Sequence, residues 1–179
     1  GYAAFFQPTT VHSFRLYLYS RFQNPRKEIV MTPDFKAKLI LDYYRRIYGL
    51  VRPPASEQII LAVEDKLGCR LPPTLRALYN LCDGIQYPEG DMPLFWVQMI
   101  PEQTVEFRGV APDGKGEKYI CFGWEEGKRY LAIEIEGAEG VIYWDPTLRV
   151  DFESLGPDLL SAYKNLEKSH RQGLKEEVF

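Results

Sequence analysis

Three breaks within seventeen residues constrain this chain more than any other feature: Gly68, Pro72-Pro73 and Asp83-Gly84. Glycine takes the left-handed backbone that closes a helix at no steric cost, and proline opens the next helix where its missing N–H would have had no partner. Residues 56–67, with Ser56 as cap and Ile59, Ile60, Val63 and Leu67 at helical spacing, therefore read as one helix. Residues 74–82 read as the next, with Leu75, Leu78, Tyr79 and Cys82 turned inward. Leu67 and Leu71 are placed to bury on either side of the bend, and Asp83-Gly84 turns the chain out of the second helix.

Beyond Gly84 the apolar period changes from 3.6 to 2. Residues 94–100 read as a strand ended by Pro101, 104–108 as a short edge strand, 111–117 as a mobile loop and 119–122 as another strand. Residues 130–136 alternate cleanly, with Leu131, Ile133 and Ile135 on one face, and Gly137–Gly140 forms a hairpin turn into residues 141–144. Strands joined this way are antiparallel, and one face can stay wet. Asp158 starts a last helix to about residue 171, with Leu159, Leu160, Tyr163 and Leu166 packing. Upstream, Thr9 and Thr10 cap a helix over 11–22. Thr32-Pro33-Asp34 starts another over 33–48, with Phe35, Leu39, Tyr43 and Ile47 on one face. The expected fold class is α+β: an antiparallel meander with helices packed on one side, plus an N-terminal helical extension.

Charge divides the chain. Residues 1–55 carry nine Lys/Arg against three Asp/Glu, a balance of +6, while residues 56–179 carry 13 against 22, a balance of −9. Arg52-Pro53-Pro54-Ala55 falls at the change of sign and reads as a linker. We therefore expect a basic extension over 1–55, two helices docked on a domain over 56–179. A body of that sign suits a basic partner and is a poor match for nucleic acid, whose phosphates need clustered Lys/Arg. Cys69, Cys82 and Cys121 are odd in number and widely spaced, so they read as structural thiols of a reducing compartment. No apolar run approaches the ~20 residues of a membrane-spanning helix, and the first residues lack a secretory pattern. The expected location is cytoplasmic. A chain opening on Gly1 without Met is expected to be processed or part of a longer one.

No catalytic or cofactor motif appears: no nucleophile elbow, zinc-helix motif, Walker loop or dinucleotide glycine string. Gly114-Lys115-Gly116 reads as a turn. His12 and His170 stand at opposite ends of the sequence, each without a ligand set, so neither a metal nor a cofactor is expected. Trp96 and Trp144 sit at strand positions expected to be core.

The stretch from Glu64 through Leu67-Gly68, Leu71-Pro72, Leu78-Tyr79 and Asp83-Gly84 resembles the E-x-x-L-G-x-x-L-P helix–turn–helix of the SUKH superfamily. Phe95-Trp96, Ile120–Gly123, Tyr130–Ile133 and Gly140–Tyr143 follow in the family's order, so the likeness covers roughly residues 56–168. The resemblance implies a protein-binding module and no catalysis. Its leading form is an immunity protein that masks the active site of a nuclease- or deaminase-type toxin. The alternative is a regulatory or scaffolding domain of a larger eukaryotic or viral protein, of cell-wall-regulator, F-box or host-defence-antagonist type. The expected partner is another protein, with no membrane and no direct nucleic acid contact. Its docking face is expected around the densest acidic group and the tryptophan at a strand end: Tyr87, Glu89, Trp124, Glu125, Glu126, Glu134, Glu136, Glu139 and Asp145. An enzyme would instead require Glu125, Glu134 or Asp145 to converge in a deep pocket.

Overall fold

The structure, a computed structural model, describes residues 31–47, 50–88, 90–125, 129–148 and 151–176, with side chains to residue 45 in the first helix and to residue 168 in the last. The helix expected over 11–22 lies outside the described residues, as do Glu89 and Glu126. Thr32–Phe179 forms one compact unit.

Thr32 opens helix α1, Pro33–Ile47, by accepting the Phe35 N–H at 3.3 Å on its hydroxyl. The buried stripe is Ala37, Ile40, Leu41 and Tyr44, not the expected Phe35, Leu39 and Tyr43, while the side chain of Ile47 lies outside the described residues; Phe35 is 51% exposed. Both stripes have helical spacing. Packing decided between them, because Tyr44 meets Tyr163 edge-on at 5.1 Å and stacks on Tyr87 at 5.9 Å.

Helix α2, Glu57–Leu67, begins at Ser56, whose hydroxyl accepts the Ile59 N–H, and ends at Gly68 with φ 70°. Helix α3, Pro73–Tyr79, stops three residues earlier than the spacing predicts. The Tyr79 carbonyl, left open at the helix end, accepts the Ala55 N–H at 3.1 Å, and the Asp83 N–H donates to Pro53 O at 2.9 Å. The Arg52–Ala55 segment is therefore stitched to the bend and does not hang as a free hinge.

The bend itself is held by Glu64, buried at 4% exposure. One carboxylate oxygen accepts the Leu71 N–H and Arg76 Nε, both at 3.1 Å, and the other accepts Arg70 Nη1 at 2.6 Å. Burial alone would raise the carboxyl's pKa, but these hydrogen bonds and the charges of Arg70 and Arg76 outweigh it and hold it below the ordinary value.

Short strands β1, Leu50–Val51, and β2, Ile85–Gln86, pair antiparallel beside the Asp83-Gly84 turn. The next stretch departs from the sequence reading. Residues 94–100 and 104–108 are not strands: after two isolated bridges at Met92 and Leu94, a 3₁₀ turn at Val97–Met99 leads into helix α4, Ile100–Val110. Val97, Ile100, Thr104 and Phe107 are all buried, and their 3-4-3 spacing is helical. Pro101 sits in the first turn of α4, where proline starts a helix as readily as it ends a strand. Residues 112–118 form a 3₁₀ segment kinked at Asp113 (φ 51°) and Gly114 (φ 70°).

The main sheet comprises β3 (Tyr119–Glu125), β4 (Arg129–Glu134), β5 (Val141–Trp144) and β6 (Glu153–Gly156), all antiparallel in the order β3-β4-β5-β6. Helix α5, Leu159–Glu176, follows, capped by Asp158, which accepts the Ser161 N–H at 2.8 Å. Tyr163 of α5 packs against Phe122 at 6.2 Å on one sheet face. Helices also cover the other face, where Phe107 of α4 meets Tyr130 at 5.7 Å and Trp144 at 6.0 Å. Tyr130, Leu131, Ala132 and Ile133 are consequently all buried, although they alternate between faces. The fold class is α+β, with an antiparallel meander under helices.

Candidate functional site

The strand register decides which of the acidic residues can act together. In the β3–β4 pair, Tyr119 lies opposite Glu134 at one end and Glu125 opposite Arg129 at the other. Five residues of strand separate these ends, about 16 Å at ~3.3 Å per residue. The expected single acidic face is thus two clusters.

At the hairpin end, Glu134 is ion-paired with Lys118 at 3.6 Å. Glu139, at φ 62°, accepts the Thr74 N–H at 2.8 Å and so satisfies a free donor at the start of α3. Glu136 is exposed.

At the other end, two expected docking residues are core. Tyr87 is 8% exposed because its ring stacks on Tyr44, and Glu125 is 4% exposed at the end of β3. Burial first, then the charges of neighbours that include Glu125, raise the Tyr44 and Tyr163 phenols well above their ordinary pKa. Trp124 is half-buried: its strand continues through it, its N–H donates to Met92 O at 2.9 Å and its ring meets Phe95 edge-on at 5.0 Å. It is not an exposed anchor. The tryptophan that reaches solvent is Trp96, 39% exposed against expectation, while Trp144 is core at 4%.

Beyond β5, Asp145 enters an open cleft of about 230 Å³ at the end of the sheet, walled by Arg129, Tyr143, Leu148, Asp151 and Glu153. Arg129 Nε donates to Asp145 Oδ2 at 3.3 Å, and Arg129 Nη1 donates to the Tyr143 hydroxyl. Thr147 donates its backbone N–H at 2.8 Å and its hydroxyl at 2.6 Å to Asp145 Oδ1. The Thr147 hydrogen bonds first, and then Arg129, hold the Asp145 carboxyl below its usual pKa. Asp151 is lowered by its hydrogen bond to Lys115 Nζ at 2.6 Å. Glu153, exposed on β6 opposite Tyr143, has no basic partner among the described residues. Leu148 is 60% exposed at the rim.

Asp145 and Asp151 are thus paired with Arg129 and Lys115, and the cleft presents one carboxylate without a basic partner among the described residues, Glu153, beside an exposed apolar side chain. Acid–base chemistry needs two carboxyls in one cleft with separated pKa values; Glu125 and Glu134 do not line this cleft, and Asp145 and Asp151, which do, are both lowered. Among the described residues no group of three His, Cys, Asp or Glu side chains is placed to hold a metal ion. None of their helices is long and apolar enough to cross a membrane. Asp151 and Glu153 were missed in the sequence because β6 has no alternating apolar pattern to mark it, and Arg129 and Tyr143, on β4 and β5, carry no local signal of the pairing that brings them to Asp145.

No curated protein matches the chain. A protein-family model does, that of the SMI1 / KNR4 family (SUKH-1), over residues 54–161. That span is more than half of the chain and contains the Glu64-held bend, the meander and the start of α5. With this match over its folded body, the chain belongs to the SMI1/KNR4 family, SUKH-1.

Proposed function

We propose that this chain is a non-catalytic protein-binding module, and that it acts as an immunity-type protein: a cytoplasmic antagonist that covers the basic active site of a nuclease- or deaminase-type toxin. The observation that carries the reading is the cleft at the sheet end, where Asp145, Asp151 and Glu153 surround Tyr143 and Leu148. Asp145 and Asp151, held below their usual pKa, and the exposed Glu153 stand in for the phosphates such a toxin would bind, and Leu148 supplies apolar contact within the rim. The −9 balance of residues 56–179 adds long-range attraction for a basic partner. Glu136 and Glu139 at the hairpin end extend the negative surface without sharing the cleft.

A bait experiment in the native host tests this. Full-length chain and its Asp151→Lys/Glu153→Lys variant are used to capture partners, which are identified by mass spectrometry. Both positions are exposed, so the variant is expected to stay folded. Capture of a toxin domain by the first bait and not the second supports the proposal. Equal capture by both baits, or recovery of a protein with no basic surface, contradicts it. A regulatory or scaffolding role is the second reading. It is favoured by α1, which precedes the family-matched span yet packs its buried stripe on the domain and ties Lys36 to Asp158 at 2.7 Å. Capture of a host regulator in place of a toxin would decide for it.

A further inference from the structure

Trp96 and Arg52 lie outside the acidic cleft and form a surface of the opposite character. Arg52 stacks its guanidinium on the Trp96 ring, 4.3 Å from the centroid. Both residues are anchored. The Arg52 N–H donates to Gly84 O at 3.4 Å, and Trp96 O accepts the Met99 N–H at 2.8 Å while the next residue's N–H is held by Asp83 at 2.8 Å. The indole lies against Gly84 so closely that a Cβ there would fall 2.6 Å from Trp96 Cδ1. This gives the Asp83-Gly84 turn a second use, as the seat of an aromatic platform. Leu50, two residues before Arg52 and hence on the same side of the extended chain, is 73% exposed.

An exposed tryptophan with an arginine stacked on it, beside an uncovered leucine, has the composition of a binding hot spot. Its charge identifies what it accepts. Arg52 is given no carboxylate partner among the described residues, and its planar fork is oriented by stacking on Trp96. A second copy of this chain would bring another arginine to the same place in a two-fold contact. Nucleic acid would need several cations, and among the described residues Arg52 is the cation stacked on this platform.

We propose that Arg52, Trp96 and Leu50 form a second docking surface, which accepts a carboxylate-bearing apolar segment of a partner protein. The carboxylate takes the guanidinium fork in a bidentate pair, and flanking apolar side chains cover the indole and Leu50. This surface is independent of the acidic cleft, and its test uses neither the cleft nor any captured partner.

The test is an NMR titration of the ¹⁵N-labelled full chain, following the Trp96 indole N–H and the Arg52 Nε–H. The probes are the peptide acetyl-Leu-Glu-Phe-Asp-Leu-amide and its isostere acetyl-Leu-Gln-Phe-Asn-Leu-amide. The acidic peptide is expected to shift both signals saturably and to bind about ten- to a hundredfold more tightly than the isostere, the range of a charge-assisted pair. Arg52→Lys, which keeps the charge but loses the fork and the stack, is expected to weaken it about tenfold with the rest of the spectrum unchanged. Equal binding of the two peptides overturns the proposal, as does no binding at millimolar concentration. So does a shift that follows protein concentration alone, which would identify a second copy, or a preference for a hexathymidylate probe, which would identify nucleic acid.

Discussion

Replacing Glu64 with alanine removes the one buried carboxylate that closes the helical bend. Three donors lose their acceptor at once: the Leu71 N–H, Arg76 Nε and Arg70 Nη1. They are not equal. Arg70 is 73% exposed and recovers water, so its share is at most about 1 kcal/mol. Arg76 keeps its pair with Glu57 at 2.5 Å. Leu71 is buried, and an orphaned buried N–H costs about 1–3 kcal/mol. Together the loss is about 2–4 kcal/mol, within the range for breaking one side of a buried pair once the exposed members are discounted. Urea unfolding reads it: at about 2 kcal/mol/M the midpoint falls by about 1–2 M with an unchanged slope. Glu64→Gln, which keeps the shape and one acceptor, should lose less. The pH dependence supplies a sign. The folded pKa lies below the ordinary 4.5, so the stabilisation is present above that value and is lost as pH falls through the folded pKa. The gap between wild type and Glu64→Ala should therefore be flat from pH 7 to about 5 and narrow below that. A midpoint change equivalent to less than about 0.5 kcal/mol, the scatter of ordinary surface substitutions, would refute the reasoning. A gap that persists unchanged to pH 3 would refute it as well.

Other expectations concern the same framework. Gly84→Ala meets both a φ of 101° and the Trp96 ring, whereas Gly68→Ala at φ 70° meets open space. Thermal unfolding should show Gly84→Ala losing about 3 kcal/mol or more and Gly68→Ala only about 1–2 kcal/mol; equal losses would contradict the packing of Trp96 on the turn. Thr104 accepts the buried Cys121 N–H at 3.2 Å, so Thr104→Val should cost about 1–3 kcal/mol, and a neutral outcome would argue against α4 lying on the sheet. Burial pushes the Cys82 thiol up to about 12 and raises Cys121 further, while Cys69 is half-buried. Native-state alkylation should accordingly modify Cys69 first and reach the other two only on unfolding, as followed by intact mass.

The bend was legible because its breaks are local: Ser56, Gly68 and the prolines act on their own backbone whatever surrounds them. So were β4 and β5, through alternation and the glycines of their turn. The misreadings share a cause. Residues 97–107 carry both an alternating and a 3-4-3 apolar pattern, and only the sheet face left for them to cover selects the helix. α1 likewise has two apolar stripes, and the tyrosines of other elements choose one. β6 is Glu-Ser-Leu-Gly, with no pattern of its own. Without that strand the sequence gives no sign that Glu153 and Asp151 join Asp145, and only the register divides the acidic residues between two ends of the sheet. Glu64 could have been found from its place in the signature, as an acid three residues before the leucine that ends α2.

In the proposed function, recognition runs through the rim of Asp145, Asp151 and Glu153. The direct measurement is the affinity of the captured partner for wild type and for Asp151→Lys/Glu153→Lys between 50 mM and 500 mM salt. We expect wild-type affinity to fall steeply with salt, and the variant to bind at least about a hundredfold more weakly at the low end, converging toward wild type at the high end. Affinity that ignores both salt and the charge reversal would mean that this cleft is not where the protein binds.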